Sequence, residues 1–315
     1  EPGYVTTAIT DDALAFIDRQ AGDDAPFYLS VHYTAPHSPW TGHPQEIVDS
    51  YDDCAFDSCP QEEMHPWAKG HPLSEDCLGN REMLKGYFAA VTAMDHDIGR
   101  ILDKLEEQGL REDTLVVFVS DNGFSCGHHG FWGKGNGTYP PNMYENSIKV
   151  PFVMSHPGRI PENSVQQAMV SAYDFMPTLL DYLALPLPDG VDLPGQSVLP
   201  MLQGENDVGR DEVVIYDEYG TTRMVRTEEW KYVHRHPDGP HELYDLVHDP
   251  DERENLADDP RQTARISELK TRLQDWFARF AVEGRDGRDF SVMGKGQLRP
   301  VGGKWEDGKQ PFAQE

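Results

Sequence analysis

Basic side chains are scarce in this chain. Its 315 residues carry 27 Lys and Arg against 55 Asp and Glu, a formal net charge of −28, and such a surface repels a nucleic-acid backbone or an anionic membrane. Neither is expected as a partner. An anionic substrate would meet the same field, so its capture needs a local cluster of cations. Long apolar runs are missing too. None approaches the ~18 residues needed to cross a bilayer, while 38% hydrophobic and 10% aromatic residues are compatible with a buried core. The chain reads as soluble. Cysteine is sparse, four in all. Cys54, Cys59 and Cys77 share a stretch with His65 and His71, yet no Cys-x2-Cys spacing occurs, which disfavours zinc against unpaired or locally bonded thiols. The Gly-Lys-Ser/Thr step of a P-loop is absent after Gly133, which weakens any nucleotide-binding reading. There is no initiator Met and no leader-like opening. The chain begins in a helical pattern, as if its domain started elsewhere.

What is present alternates between periods. The segment "AITDDALAFIDR" (8–19) sets Ala13, Leu14 and Ile17 on one face behind Thr10 and two Asp, which predicts a capped helix. "PFYLSVHYTAPH" (26–37) is apolar, β-rich and stopped by a Pro, as a buried parallel strand feeding a loop is. His32 within it reads as a satisfied core histidine. Residues 38–80 keep no period and read as a surface excursion. Leu84, Phe88, Val91, Ile98, Leu102 and Leu105 recur at helical spacing, so 81–105 is a long amphipathic helix. "TLVVFVS" (114–120) and "KVPFVMSHPG" (149–158) are strands on either side of a glycine-rich loop, and 174–185 is a helix. This order predicts an α/β domain, a mostly parallel sheet flanked by helices, over 1–205. Four short strands and a helix from 261 to 280 then predict a small antiparallel subdomain over 206–284, with 285–315 as a tail.

In an open α/β sheet, ligands gather beyond the carboxyl ends of the strands. Asp121 and Asn122 follow one such strand, and His37 ends another. A carboxylate beside an amide offers hard oxygens suited to Ca²⁺ or Mg²⁺; Asp-Asn-Gly is also an ordinary Asx turn. Lys134 lies in the same loop as His128 and His129, so cations and metal ligands can converge on a tetrahedral anion. Cys126 has nothing upstream to orient a base onto it and reads as packing. Further along, His234, Arg235, His236 and His241 flank a turn, and "DEYGTTR" (217–223) offers carboxylates for sugar hydroxyls.

The stretch "FVSDNGFSCGHHGFWGKGNGTYPPNMYENSIKVPFVMSHPGRIP" resembles the C-terminal half of the sulfatase family, in the alkaline-phosphatase-like superfamily. There a Ser-Asp-Asn/His-Gly strand end precedes Gly-x-His-Gly, Trp-Gly-Lys and Tyr-Glu-x-Ser-x-x-Val-Pro. The likeness continues in "PFYLSVHYTAPHSPW", "DFMPTLLDYLAL" and "HELYDLVHDPDERENLADDP". It implies a sulfuric ester hydrolase acting on sulfate monoesters of a carbohydrate or an aryl alcohol. It implies that Asp121 and Asn122 hold a divalent cation, usually Ca²⁺, that Lys134 and His37 contact the sulfate, and that His129 stands at the pocket rim. His128, Asn136, Arg235, His236 and His241 are left as candidate substrate contacts. The family's nucleophile is a formylglycine made from the first residue of Cys/Ser-x-Pro/Ala-x-Arg, in an N-terminal part with two Asp ligands. No such motif is expected in this chain, the four cysteines being followed by other residues. The chain is therefore expected to be half of an active site, inactive alone, with exposed sheet edges covered by self-association or by the missing N-terminal fragment. The alternatives are a phosphonate monoester or phosphodiester hydrolase on the same scaffold, and a non-catalytic anion-binding module.

Overall fold

The structure is a computed structural model and describes residues 3–205, 209–217, 220–283 and 286–288. Apart from 286–288, the 285–315 tail lies outside the described residues. The helices are α1 (Val5–Gln20), α2 (Gln45–Asp49), α3 (Pro72–Cys77), α4 (Arg81–Glu107), α5 (Glu145–Ile148), α6 (Phe175–Tyr182), α7 (Leu199–Leu202) and α8 (Thr263–Phe280). The strands are β1 (Val116–Val119), β2 (Ser125–Cys126), β3 (Trp132–Gly133), β4 (Phe152–Ser155), β5 (Glu212–Tyr216), β6 (Thr222–Thr227), β7 (Trp230–Arg235) and β8 (Glu242–Asp245). No helix among these residues is long and apolar enough to cross a membrane.

The amphipathic stretch after Asn80 forms α4, and the Asn80 side chain caps it by accepting from the Glu82 amide at 3.1 Å. α1 lies along α4, tied by Arg100 to Asp11, by Lys104 to Asp18 and by the Thr7 hydroxyl, which donates to Asp97. α1 starts before the expected cap. Thr10 is inside it and buried, its hydroxyl donating to Thr6 O and meeting the Tyr33 hydroxyl at 2.8 Å.

Residues 26–35 are extended, as expected of a strand, but belong to no ladder among the described residues. Their side chains alternate: Phe27, Leu29, Val31 and Tyr33 are half-buried, and the residues between are exposed. Phe27 packs on Phe16 of α1, with ring centroids 5.7 Å apart. His32 falls on the open side, exposed and bonded to Ser30 at 2.7 Å, so it is not a core histidine.

β1 pairs with β4 in antiparallel register, Val116 opposite Ser155 and Val119 opposite Phe152. A parallel pair needs a crossover to bring the chain back to the starting end. Here the connection through residues 120–151 turns back at the end it left, so the direction reverses. Every pairing among the described residues is antiparallel. The parallel ladder expected from the element order is thus absent from them.

The C-terminal expectation holds closely. β5 to β8 form one sheet in sequential order, and Leu269, Leu273 and Phe277 of α8 pack on Val214, Val225, Tyr232 and Leu243. Buried charge ties this sheet to the rest of the chain. Lys231, fully buried, reaches Glu252 and Glu145, each at 2.6 Å, and the carbonyl of Met143.

Candidate functional site

An aromatic cluster brings the separate parts of the site together. Trp40 packs on Phe124 and Trp132 of the glycine-rich loop, at centroid distances of 5.7 and 5.1 Å, and its indole N–H donates to Pro36 O at 2.7 Å. The loop carrying His37 is thereby anchored to the loop carrying Lys134. Burying aromatic rings is the main driving force for that contact.

At the end of β1 the chain must turn inside a tight space. A Cβ on Gly123 would come within 2.2 Å of Asn146 O, so the Gly of Asp-Asn-Gly is required by close approach. Asn122 accepts from the Lys134 ammonium at 2.7 Å and donates to Gly123 O. Asp121 is exposed beside it, reached by the Ser120 hydroxyl. Lys134 is held from behind by the buried Asn142, whose amide donates to Lys134 O and Gly135 O while its Oδ1 accepts from Ser147. The residue-by-residue reading passed over Asn142; its only signal was its place within the "YPPNMYENS" block.

His129 is in the left-handed region, φ 55°, and stacks on Tyr144 with centroids 3.8 Å apart. Burial, with help from the nearby Arg253 charge, depresses its imidazole to about 4. It is therefore neutral at pH 7. His128 donates from Nε2 to the Ser58 carbonyl at 2.9 Å, which fastens the loop to residues 58–62. His37 is exposed, and its Nδ1 lies 2.9 Å from Ser38 O. A carbonyl only accepts, so Nδ1 carries the proton there and Nε2 is left to exchange one.

Asp121, Asn122, Lys134, His37, His129 and His128 line one cleft of about 3880 Å³, and Asn136 lies on its wall as well. Arg235, His236 and His241 do not line it. Arg235 is buried, bound to Glu242 at 2.6 Å and to Pro141 O and Pro240 O, over the ring of Trp67. Its donors are engaged in holding the sheet to the Pro141 segment. His241 stacks on His234 at 4.4 Å, and His236 stands edge-on to the same ring at 4.5 Å. The turn is a packed histidine cluster away from the cleft. In "DEYGTTR", Glu218 and Tyr219 lie outside the described residues, and Arg223 is buried over Phe277.

The donor set accords in chemistry with a hard cation. Asp121 supplies a carboxylate, and the Asn122 carbonyl keeps a second lone pair beside Lys134. It falls short in number: Ca²⁺ takes roughly six to eight oxygens, and no group of three or more His, Cys, Asp or Glu suited to a metal occurs among the described residues. Asp121 and Asn122 therefore fit as one side of a cation site.

Against the expectation of no such motif, a Ser-x-Pro-x-Arg spacing occurs at Ser155-His156-Pro157-Gly158-Arg159. Its position rules it out as the nucleophile of this site. Ser155 pairs with Val116, at the opposite end of β1 from Asp121, about 16 Å away at ~3.3 Å per residue. Its hydroxyl is held by Arg111, and His156 is buried between Tyr182 and Glu112 O.

The chain matches the sulfatase family over residues 2–185 and the N-sulphoglucosamine sulphohydrolase C-terminal family over residues 127–279. It is 28% identical to an ulvan-active sulfatase of Formosa agariphila over 91% of this chain and 54% of that protein. It is 31% identical to a choline-sulfatase of Rhizobium meliloti over 80% of this chain and 52% of that protein. The chain thus spans about half the length of these relatives. A protein solved in complex with its substrate D-glucosamine-2-N,6-O-disulfate superposes with a TM-score of 0.75 at 24% identity, over 91% of this chain and 72% of that one. A phosphonate monoester hydrolase from Silicibacter pomeroyi gives 0.71 at 24%, over 87% and 60%. These likenesses give the fold.

Proposed function

The chain belongs to the sulfatase family, and from that premise we propose that it carries the cation- and sulfate-binding side of a sulfuric ester hydrolase active site. The observation that supports this most is the contact of Lys134 with Asn122, next to Asp121, in a cleft shared with His37 and His129. Hydrolysis of a sulfate monoester builds negative charge on the sulfuryl and leaving oxygens. Lys134 stabilises the sulfuryl oxygens by direct charge. His37, protonated at Nε2, donates to the leaving alcohol, and its Nδ1–H bond to Ser38 O fixes the ring. His129, stacked and neutral, shapes the rim and serves as a hydrogen-bond partner. A cation held by Asp121 and Asn122, Ca²⁺ or Mg²⁺, would draw further charge from the sulfate when bound.

The substrate is a sulfated small molecule or glycan, by analogy with relatives whose names specify ulvan and choline sulfates. The formylglycine and further acidic ligands come from the part of the relatives' length that this chain does not match, which also occupies the apolar cleft. This chain alone does not turn over sulfate esters. Self-association of the uncovered faces is the competing outcome when that part is absent. The phosphonate or phosphodiester alternative retains the same cation and Lys/His positions, and no observation favours it over sulfate.

Sulfate titration followed by NMR tests the reading. Sulfate should shift the resonances of Lys134 and His37 in this chain, and Lys134→Ala should weaken binding by roughly tenfold, the loss of one charged hydrogen bond. Equal binding by the Lys134→Ala variant would remove Lys134 from the site.

A further inference from the structure

Four cysteines, Cys54, Cys59, Cys77 and Cys126, share one packed cluster beneath the glycine-rich loop. Within it, residues 58–62 run directly against residues 126–128. The Gln61 side-chain nitrogen donates to both Cys59 O at 2.9 Å and Cys126 O at 2.7 Å, so one amide spans the two main chains. Glu62 N bonds Gly127 O, His128 bonds Ser58 O, and a Cβ on Gly127 would strike Pro60 O at 2.6 Å. The backbones at positions 59 and 126 are thus neighbours, bridged by one amide, and both side chains lie in the same packed cluster. They differ in access. Cys59 is half-buried and Cys126 is buried behind it.

We propose that Cys59 and Cys126 are a disulfide-forming pair, oxidised by a peroxide, whose closure clamps the loop bearing His128, His129 and Lys134 to residues 58–62. The step balances as two turnovers at sulfur. The Cys59 thiolate attacks one peroxide oxygen, breaking the O–O bond to give a sulfenic acid and hydroxide, which leaves as water with the thiol proton. Cys126 then attacks the Cys59 sulfur, expelling the sulfenic oxygen as a second water. Two thiols are oxidised by two electrons, and one peroxide is reduced to two waters.

The order of attack follows from the environment. The neighbouring Cys126 thiol, together with the Ser58 hydroxyl at 3.9 Å, outweighs burial and draws the Cys59 thiol down to about 7. The same contact and burial raise Cys126. Cys59 is therefore the more nucleophilic of the two at neutral pH, and it is the one that a peroxide reaches. Cys54 and Cys77 lie in the same cluster and are the competing partners.

The test is a disulfide map of the full chain after treatment with hydrogen peroxide. Remaining thiols are alkylated and the peptides are sequenced by mass. The expected result is a Cys59–Cys126 linked peptide, two hydrogens lighter than its separate parts and released by reductant, with Cys54 and Cys77 alkylated. Pairing of Cys59 with Cys54 or Cys77, or alkylation of both Cys59 and Cys126, would overturn the proposal. A Cys59→Ser chain, altered at the less buried position, should yield no linked peptide. Hydrogen exchange reads the clamp itself. Amides of 125–137 should exchange several-fold more slowly in the oxidised chain, and unchanged exchange would mean the bond forms without clamping the loop.

Discussion

The C-terminal sheet and the strands that carry the site differ in how far this chain alone satisfies them. In β5 to β8 each strand pairs with its sequence neighbour, α8 covers one face, and buried charges find partners, as Lys231 does with Glu145 and Glu252. Beside the site, among the described residues, 26–35 is extended without a ladder, β1 has β4 as its one partner, and Val119 is about half exposed on a large cleft. One region is a finished core. The other is a surface that leaves apolar residues exposed, and it is there that Asp121, Lys134 and His37 sit.

The comparison predicts unequal mutational costs. Lys231→Ala leaves Glu252 buried without its cation, and it should cost about 3–5 kcal/mol in urea unfolding. A loss below about 1 kcal/mol would show that the C-terminal core tolerates an unpaired carboxylate. Leu243→Ala, at a fully buried position, should cost about 2–5 kcal/mol, whereas Val119→Ala, 48% exposed on the cleft, should stay within about 0.5 kcal/mol. Equal costs would erase the distinction between the two regions.

Acid should act through the same buried groups. Burial, aided by His241 and His236, lowers His234 to about 3. Burial raises Glu145, but Lys231, Lys149 and Arg226 outweigh it and hold the carboxyl at about 2. Both groups take up protons in the unfolded chain first, so stability falls as pH drops from 6.5 toward 3 through His234, and from 4.5 toward 2 through Glu145. The histidine contributes up to about 1.4 kcal/mol per pH unit. In His234→Gln the slope between pH 6.5 and 4.5 should flatten; an unchanged slope would place that proton uptake elsewhere.

Much of this was legible because it is local. The β5 to β8 hairpins announce themselves by alternation and turn residues, and α4 by its apolar stripe and Asn80. Strand direction was not legible, since an apolar run such as "TLVVFVS" has the same pattern whether its partner is parallel or antiparallel. His32 was read inward because the run is apolar, yet alternation places it on the open face. The Lys134, Asn122 and Asp121 grouping was foreseen; the burial of Arg235 beneath Pro141 and Trp67 was not, since nothing near it in sequence names those partners. A small effect is also expected for such surface pairs as Arg265 with Glu268. Arg265→Ala should cost less than about 1 kcal/mol.

The central claim, that this chain holds the sulfate-binding side of a hydrolase and lacks its nucleophile, is tested most directly by sulfate release from an aryl sulfate in the presence of Ca²⁺. The chain alone should give no multiple turnover, and a longer form that includes a formylglycine segment should give it, with Lys134→Ala suppressing it. Sustained turnover by these 315 residues alone would contradict the account and require a nucleophile within them.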